Sequence, residues 1–139
     1  MLLLLSACAV HLGVAPALHR WSVPGVSAAV AEPGVGDAVR AALIDNLAAR
    51  GALDPGGSPL VVEVRSADWL PSRRSGDTLV YDARLVVRVT AGATSREAWA
   101  VQSVPDPGVA AAVPELRARV FVTLSQQVAQ ELAAWVSVR

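Results

Sequence analysis

The chain has 139 residues, 53% of them apolar, with twelve cationic and twelve acidic side chains for a formal net charge of zero. That length suits a single hydrophobic core. Zero net charge excludes the concentrated basic surface of a nucleic-acid binder, and no apolar run approaches the ~20 residues of a membrane-spanning helix.

The chain opens Met1-Leu2-Leu3-Leu4-Leu5-Ser6-Ala7-Cys8. A leucine run, two small residues and a cysteine resemble the bacterial lipobox, in which cleavage precedes the cysteine and its thiol receives a diacylglyceryl group. Cys8 is the only cysteine, so the chain cannot form an internal disulfide. The alternative is a cysteine buried at the end of a short apolar strand. A secretory leader carries a basic segment and a longer apolar stretch, so residues 1–7 are read as the remnant of a signal peptide. The lipidated tether is expected over 8–22 and a single domain over 23–139. Ala9 stands where an aspartate often retains such proteins in the inner membrane, which leans the expectation toward the outer membrane.

Val23 to Glu32 shows short alternation through Val26, Ala28 and Val30 and is read as a first strand. After Pro33-Gly34-Val35-Gly36, Asp37 is the expected N-cap of a helix running to Arg50. Val39, Leu43 and Leu47 recur every four residues along it, and Gly51 sits at its C-terminal stop. Leu60 to Trp69 reads as a second strand and Thr78 to Thr90 as a third. In the third, Leu79, Tyr81, Ala83, Leu85, Val87 and Val89 alternate with polar positions, the pattern of an antiparallel sheet wet on one side. Ser95 to Ser103 is a fourth strand, with Trp99 and Val101 on one face. Pro114 suits the first turn of a closing helix. Its stripe of Leu116, Val120, Leu124, Val128, Leu132 and Val136 is long enough to cover a sheet. The order β-α-β-β-β-α predicts an α/β (α+β) two-layer sandwich, a four-stranded mixed sheet with both helices on one face.

A search for chemistry finds little. His11 and His19 both precede the expected domain, and neither has a companion at metal-ligand spacing. No nucleophile elbow, phosphate-binding loop or dinucleotide fingerprint is present. The chain is therefore expected to be no enzyme, with no catalytic residue, metal or cofactor. One stretch stands apart, Leu70-Pro71-Ser72-Arg73-Arg74-Ser75-Gly76-Asp77, read as a long loop between the second and third strands. Two readings stay open there. Arg73 and Arg74 either contact an anionic lipid, since arginine grips phosphate bidentately, or belong to a solvated turn with Arg74 loosely paired to Asp77.

With these features in place, the chain resembles the lipopolysaccharide-assembly lipoproteins (LptE-like). The resemblance rests on Cys8-Ala9-Val10-His11-Leu12, Val23-Pro24-Gly25-Val26, the helix from Asp37 to Gly51, the strand through Tyr81-Asp82-Ala83-Arg84-Leu85 and the closing amphipathic helix. It departs from the family's usual start at Ala9 and Val10. It implies an outer-membrane lipoprotein, held by its lipid on the periplasmic side, that stabilises an LptD-like β-barrel and binds lipopolysaccharide, with Arg73 and Arg74 in the lipid-contacting segment. Two other readings remain: an auxiliary lipoprotein of a lipid-transporting ABC system, and a small hydrolase of envelope polymers.

Overall fold

A computed structural model describes residues 19–139; Cys8 and His11 lie outside them. The elements are β1 (Trp21–Ser22), β2 (Ser27–Ala28), α1 (Val35–Ala49), β3 (Ser58–Pro59), β4 (Val61–Ser75), β5 (Thr78–Ala91), β6 (Thr94–Pro105), a short 3₁₀ turn (Ala110–Ala112) and α2 (Val113–Val136). The main sheet runs β2-β4-β5-β6, with β2 parallel to β4 and the other pairs antiparallel. β1 and β3 form a separate parallel pair. The helices pack on each other, α2 lies over β5 and β6, and α1 meets β2 and β4. This is the expected helix-on-sheet architecture with one small extra sheet.

The core follows directly from the two periodicities. Leu85, Val87 and Val89 of β5 are fully buried, as are Leu124, Val128, Leu132 and Val136 of α2 and Leu43 and Leu47 of α1. Burying each such side chain contributes about 1.5–3 kcal/mol. Ala98 and Ala100 of β6 and Ala129 and Ala133 of α2 belong to the same cluster, and their small side chains let helix and strand approach closely. The register between β5 and β6 is unbroken from Ala91↔Thr94 to Val80↔Pro105.

Four expectations are corrected. The first strand is not Val23 to Glu32. Only Ser27 and Ala28 pair with β4, because Pro24 lacks an N–H for the ladder and the preceding residues turn away. Asp37 is not the N-cap of α1. Gly34 holds that place at φ 72°, and Asp37 lies in the first turn, where its charge still favours the positive helix end. The stretch Leu70 to Asp77 is not a loop. β4 continues to Ser75, and Gly76 at φ 61° with Asp77 makes a two-residue turn, as expected when glycine takes the first central place of a hairpin turn.

The fourth correction concerns the tether. Trp21 falls within the expected 8–22 stretch, yet it is only 6% exposed. Its indole N–H donates to the carbonyl of Val136 at 3.1 Å, satisfying one of the carbonyls left open at a helix end. Its amide donates to Ala52 at 2.8 Å, and its own carbonyl accepts from Asp54 at 2.9 Å. Packing therefore reaches at least two residues before the expected boundary.

Candidate functional site

Strand alternation gives the main sheet two faces. One carries Val62, Val64, Leu85, Val87, Ala98 and Ala100 toward the helices. The other carries cross-strand rows that register assigns without ambiguity: Ser66–Val86–Trp99, then Asp68–Arg84–Val101, then Leu70–Asp82–Ser103, then Arg73–Val80–Pro105. No described element covers this second face.

Its centre is apolar. Trp99 is 64% exposed, Leu70 60% and Val101 44%. Val86 lies directly across from Trp99 and is nevertheless buried. Trp99, Leu70 and Val101, together with Asp68, Pro71, Ser72, Asp82 and Arg84, line an open groove of about 560 Å³. The Arg84 guanidinium lies 6.0 Å from the centre of the Trp99 ring. Toward the β5–β6 turn the face becomes polar, and its charges are matched: Arg88 with Glu97 at 3.4 Å and Arg65 with Glu63 at 3.9 Å. Such exposed pairs add little stability.

Asp82 is the one group on this face with a displaced titration. The Ser103 hydroxyl donates to it at 2.8 Å, and this bond holds its carboxyl below the ordinary value; the Ser72 hydroxyl and the charge of Arg73 act in the same direction. Arg73 thus lies near enough for its charge to act on a carboxylate of its own sheet. Arg74 is the next residue of the strand, opposite Leu79 where Arg73 is opposite Val80, so the two guanidinium groups leave on opposite faces. The structure does not bring them together.

The helix-covered side has a polar feature of its own. Glu32 is buried and pairs with Arg117 of α2, whose guanidinium lies 5.5 Å from the centre of the Trp69 ring. Trp69 in turn stacks on Tyr81 at 5.5 Å. Beside this chain of contacts, Ala31, Pro33, Val113 and Pro114 help to line a second groove of about 590 Å³. Glu32 and Arg117 satisfy each other, which fits a role in joining the 31–33 segment to the start of α2. His19 bonds to the Ser58 hydroxyl at 2.9 Å and lies 4.6 Å from the Trp21 ring. Among the described residues no group of three or more His, Cys, Asp or Glu side chains gathers as a metal site would require, and no helix is long and apolar enough to cross a membrane.

The fold is shared with solved bacterial proteins. A minor lipoprotein from Acinetobacter baumannii matches with a TM-score of 0.61 at 16% identity, over 88% of this chain and 93% of that one. A Xanthomonas campestris protein of family DUF330 matches with a TM-score of 0.52 at 17% identity, over 86% and 85%. A candidate lipoprotein from Caulobacter crescentus matches with a TM-score of 0.51 at 11% identity, over 81% and 87%. No family model and no curated protein matches the sequence. At these identities the likeness is one of fold.

The apolar groove was not singled out in the sequence, although one sign of it was there. Trp99 and Val101 share a face, while Ala98 and Ala100 occupy the other. Large apolar residues point inward by default. Over 98–101 of β6 the reverse holds, because α2 lies over the strand and leaves room only for alanine at 98 and 100.

Proposed function

We propose that this chain is an envelope lipoprotein, anchored through acylated Cys8, whose domain is no enzyme and works by contact with a lipid-handling assembly. The observation that carries this reading is the exposed patch of Trp99, Leu70 and Val101 on the uncovered sheet face. Contiguous apolar surface rimmed by polar groups marks an interaction site. The lipobox-like Leu2 to Cys8 segment and a fold shared with a minor lipoprotein support the anchor and the compartment.

In the finer form suggested by the resemblance, the partner is an LptD-like outer-membrane barrel, the ligand is lipopolysaccharide, and Arg73 contributes to its phosphate contacts. Arg74, on the opposite face, serves separately. The second form, an auxiliary lipoprotein of a lipid-transporting ABC system, draws on a specific observation. Barrel lumens are polar, whereas the middle of the uncovered face is apolar and suits an apolar partner surface or an acyl chain.

The test is co-purification of the membrane-extracted protein in mild detergent, with partners identified by mass spectrometry, for the parent chain and Trp99→Ser. The expected result is an envelope lipid-transport component that Trp99→Ser no longer retains. A barrel protein supports the first form and an inner-membrane ATPase complex the second. Equal recovery by both chains would remove the sheet face from the reading. Replacement of Cys8 by serine is expected to release the protein from membranes, and unchanged membrane association would argue against acylation.

A further inference from the structure

We propose that β6 pairs antiparallel with β6 of a second copy, about a two-fold axis at Trp99, joining two four-stranded sheets edge to edge. The argument starts from hydrogen-bond phase. Ala91 and Thr94 flank a two-residue turn and so form a hydrogen-bonded pair. Counting from Thr94, the even-numbered residues of β6 spend their N–H and C=O groups on β5. Ser95, Glu97, Trp99, Val101 and Ser103 direct theirs to the outside. β6 is the last strand of its sheet, and no backbone bond from those five residues to another described element exists.

The two free edges of the sheet differ in how they are protected. Beyond its short pairing with β2, the outer side of β4 is interrupted by register shifts at Val64/Ser66 and Pro71/Arg73 and contains Pro71 itself. Bulges, prolines and charges are the usual devices that keep an edge from pairing. β6 has no bulge and no proline before Pro105. Its two charged residues are already engaged within the chain, Arg96 with Glu131 at 3.0 Å and Glu97 with Arg88 at 3.4 Å.

The sequence of the edge specifies its occupant. Paired about Trp99, Thr94 faces Val104, Ser95 faces Ser103, Arg96 faces Gln102 and Glu97 faces Val101 of the other copy. Like charges never meet. The five outward residues of each strand then form ten inter-chain bonds, two at each pair of residues. A shift of two residues one way shortens the ladder. The same shift the other way sets Pro105, which has no N–H, opposite Ser95. A shift of four brings Glu97 against Glu97. The symmetric register also places the two Trp99 rings side by side on the open face, joining the two apolar patches.

The experiment uses the full chain with Cys8→Ser, so that no acyl group drives assembly. Sedimentation velocity over a concentration series is expected to show a dimer. Val101→Pro removes one outward N–H without touching the β5 ladder, and should sediment as a monomer with an unchanged circular dichroism spectrum. Ser95→Cys with Ser103→Cys puts two thiols opposite each other across the axis, at a separation that a disulfide spans, while within one chain they stand about 26 Å apart along the strand. Oxidation should give a covalent dimer, and Glu97→Cys alone should not. A monomeric parent chain, with this edge reserved for residues 1–18 or for another protein's strand, would overturn the proposal. So would a dimer that the paired cysteines fail to link.

Discussion

The two faces of the main sheet are made by the same strands, yet they carry side chains under opposite rules. On the helix side, β5 contributes Leu85, Val87 and Val89, each fully buried, and β6 contributes Ala98, Ala100 and, near its end, Val104. On the open side, β6 contributes Trp99 and Val101 beside Leu70 of β4, all substantially exposed. In the middle of β6 the side chains are large where nothing described covers them and small where α2 lies over the strand. The lesson is that side-chain size on β6 reports the distance to the next layer, and the apolar groups left outside are available for a partner.

Substitutions across the sheet sharpen that contrast. The largest effect is expected for Leu85→Ala, which empties a fully buried position between the layers and should cost about 2–5 kcal/mol in urea unfolding. Arg117→Ala should cost about 3 kcal/mol, the low end for a broken buried pair, because Arg117 itself is partly exposed. It strands the Glu32 carboxylate under the 31–33 segment and removes the cation from the Trp69 ring. Leu70→Ser, on the open face, should change stability by no more than about 0.5 kcal/mol. If it destabilised the fold as much as Leu85→Ala, the open face would have to be counted as core.

The smallest expected effect concerns Asp82. Its carboxyl titrates low in the folded chain, so its contribution to stability is present above the ordinary carboxylate value and is lost as pH falls through the folded value. Ser103→Ala removes the principal bond to it, and an NMR titration should then find Asp82 moved upward toward that ordinary value. A midpoint that stays in place would transfer the cause to Ser72 and Arg73.

Much of this architecture is legible in the sequence, and the exceptions share a physical cause. The stripes from Val39 to Leu47 and from Leu116 to Val136 mark both helices because each faces one continuous core. Thr78 to Thr90 reads as a strand for the same reason. Leu70 to Asp77 reads as a loop because Ser72, Arg73, Arg74 and Ser75 have no layer to pack against; there the hairpin holds by backbone pairing and by the Ser72 bond to Asp82. β2 was overestimated because a two-residue edge strand leaves almost no pattern. The groove escaped because inward and outward on β6 cannot be told apart until α2 is placed above it. Trp21 looked like tether because its anchoring partner, the carbonyl of Val136, is 115 residues away.

That same tryptophan decides how the domain meets a load. It clasps the last turn of α2 while its main chain is bonded into the 52–60 segment. Tension applied to the chain just before Trp21 would therefore fall on several bonds at once before it reached the layers behind them. The carboxyl end of the chain sits beside the same clasp, so any fusion placed there would crowd Trp21 and the segment bonded to it.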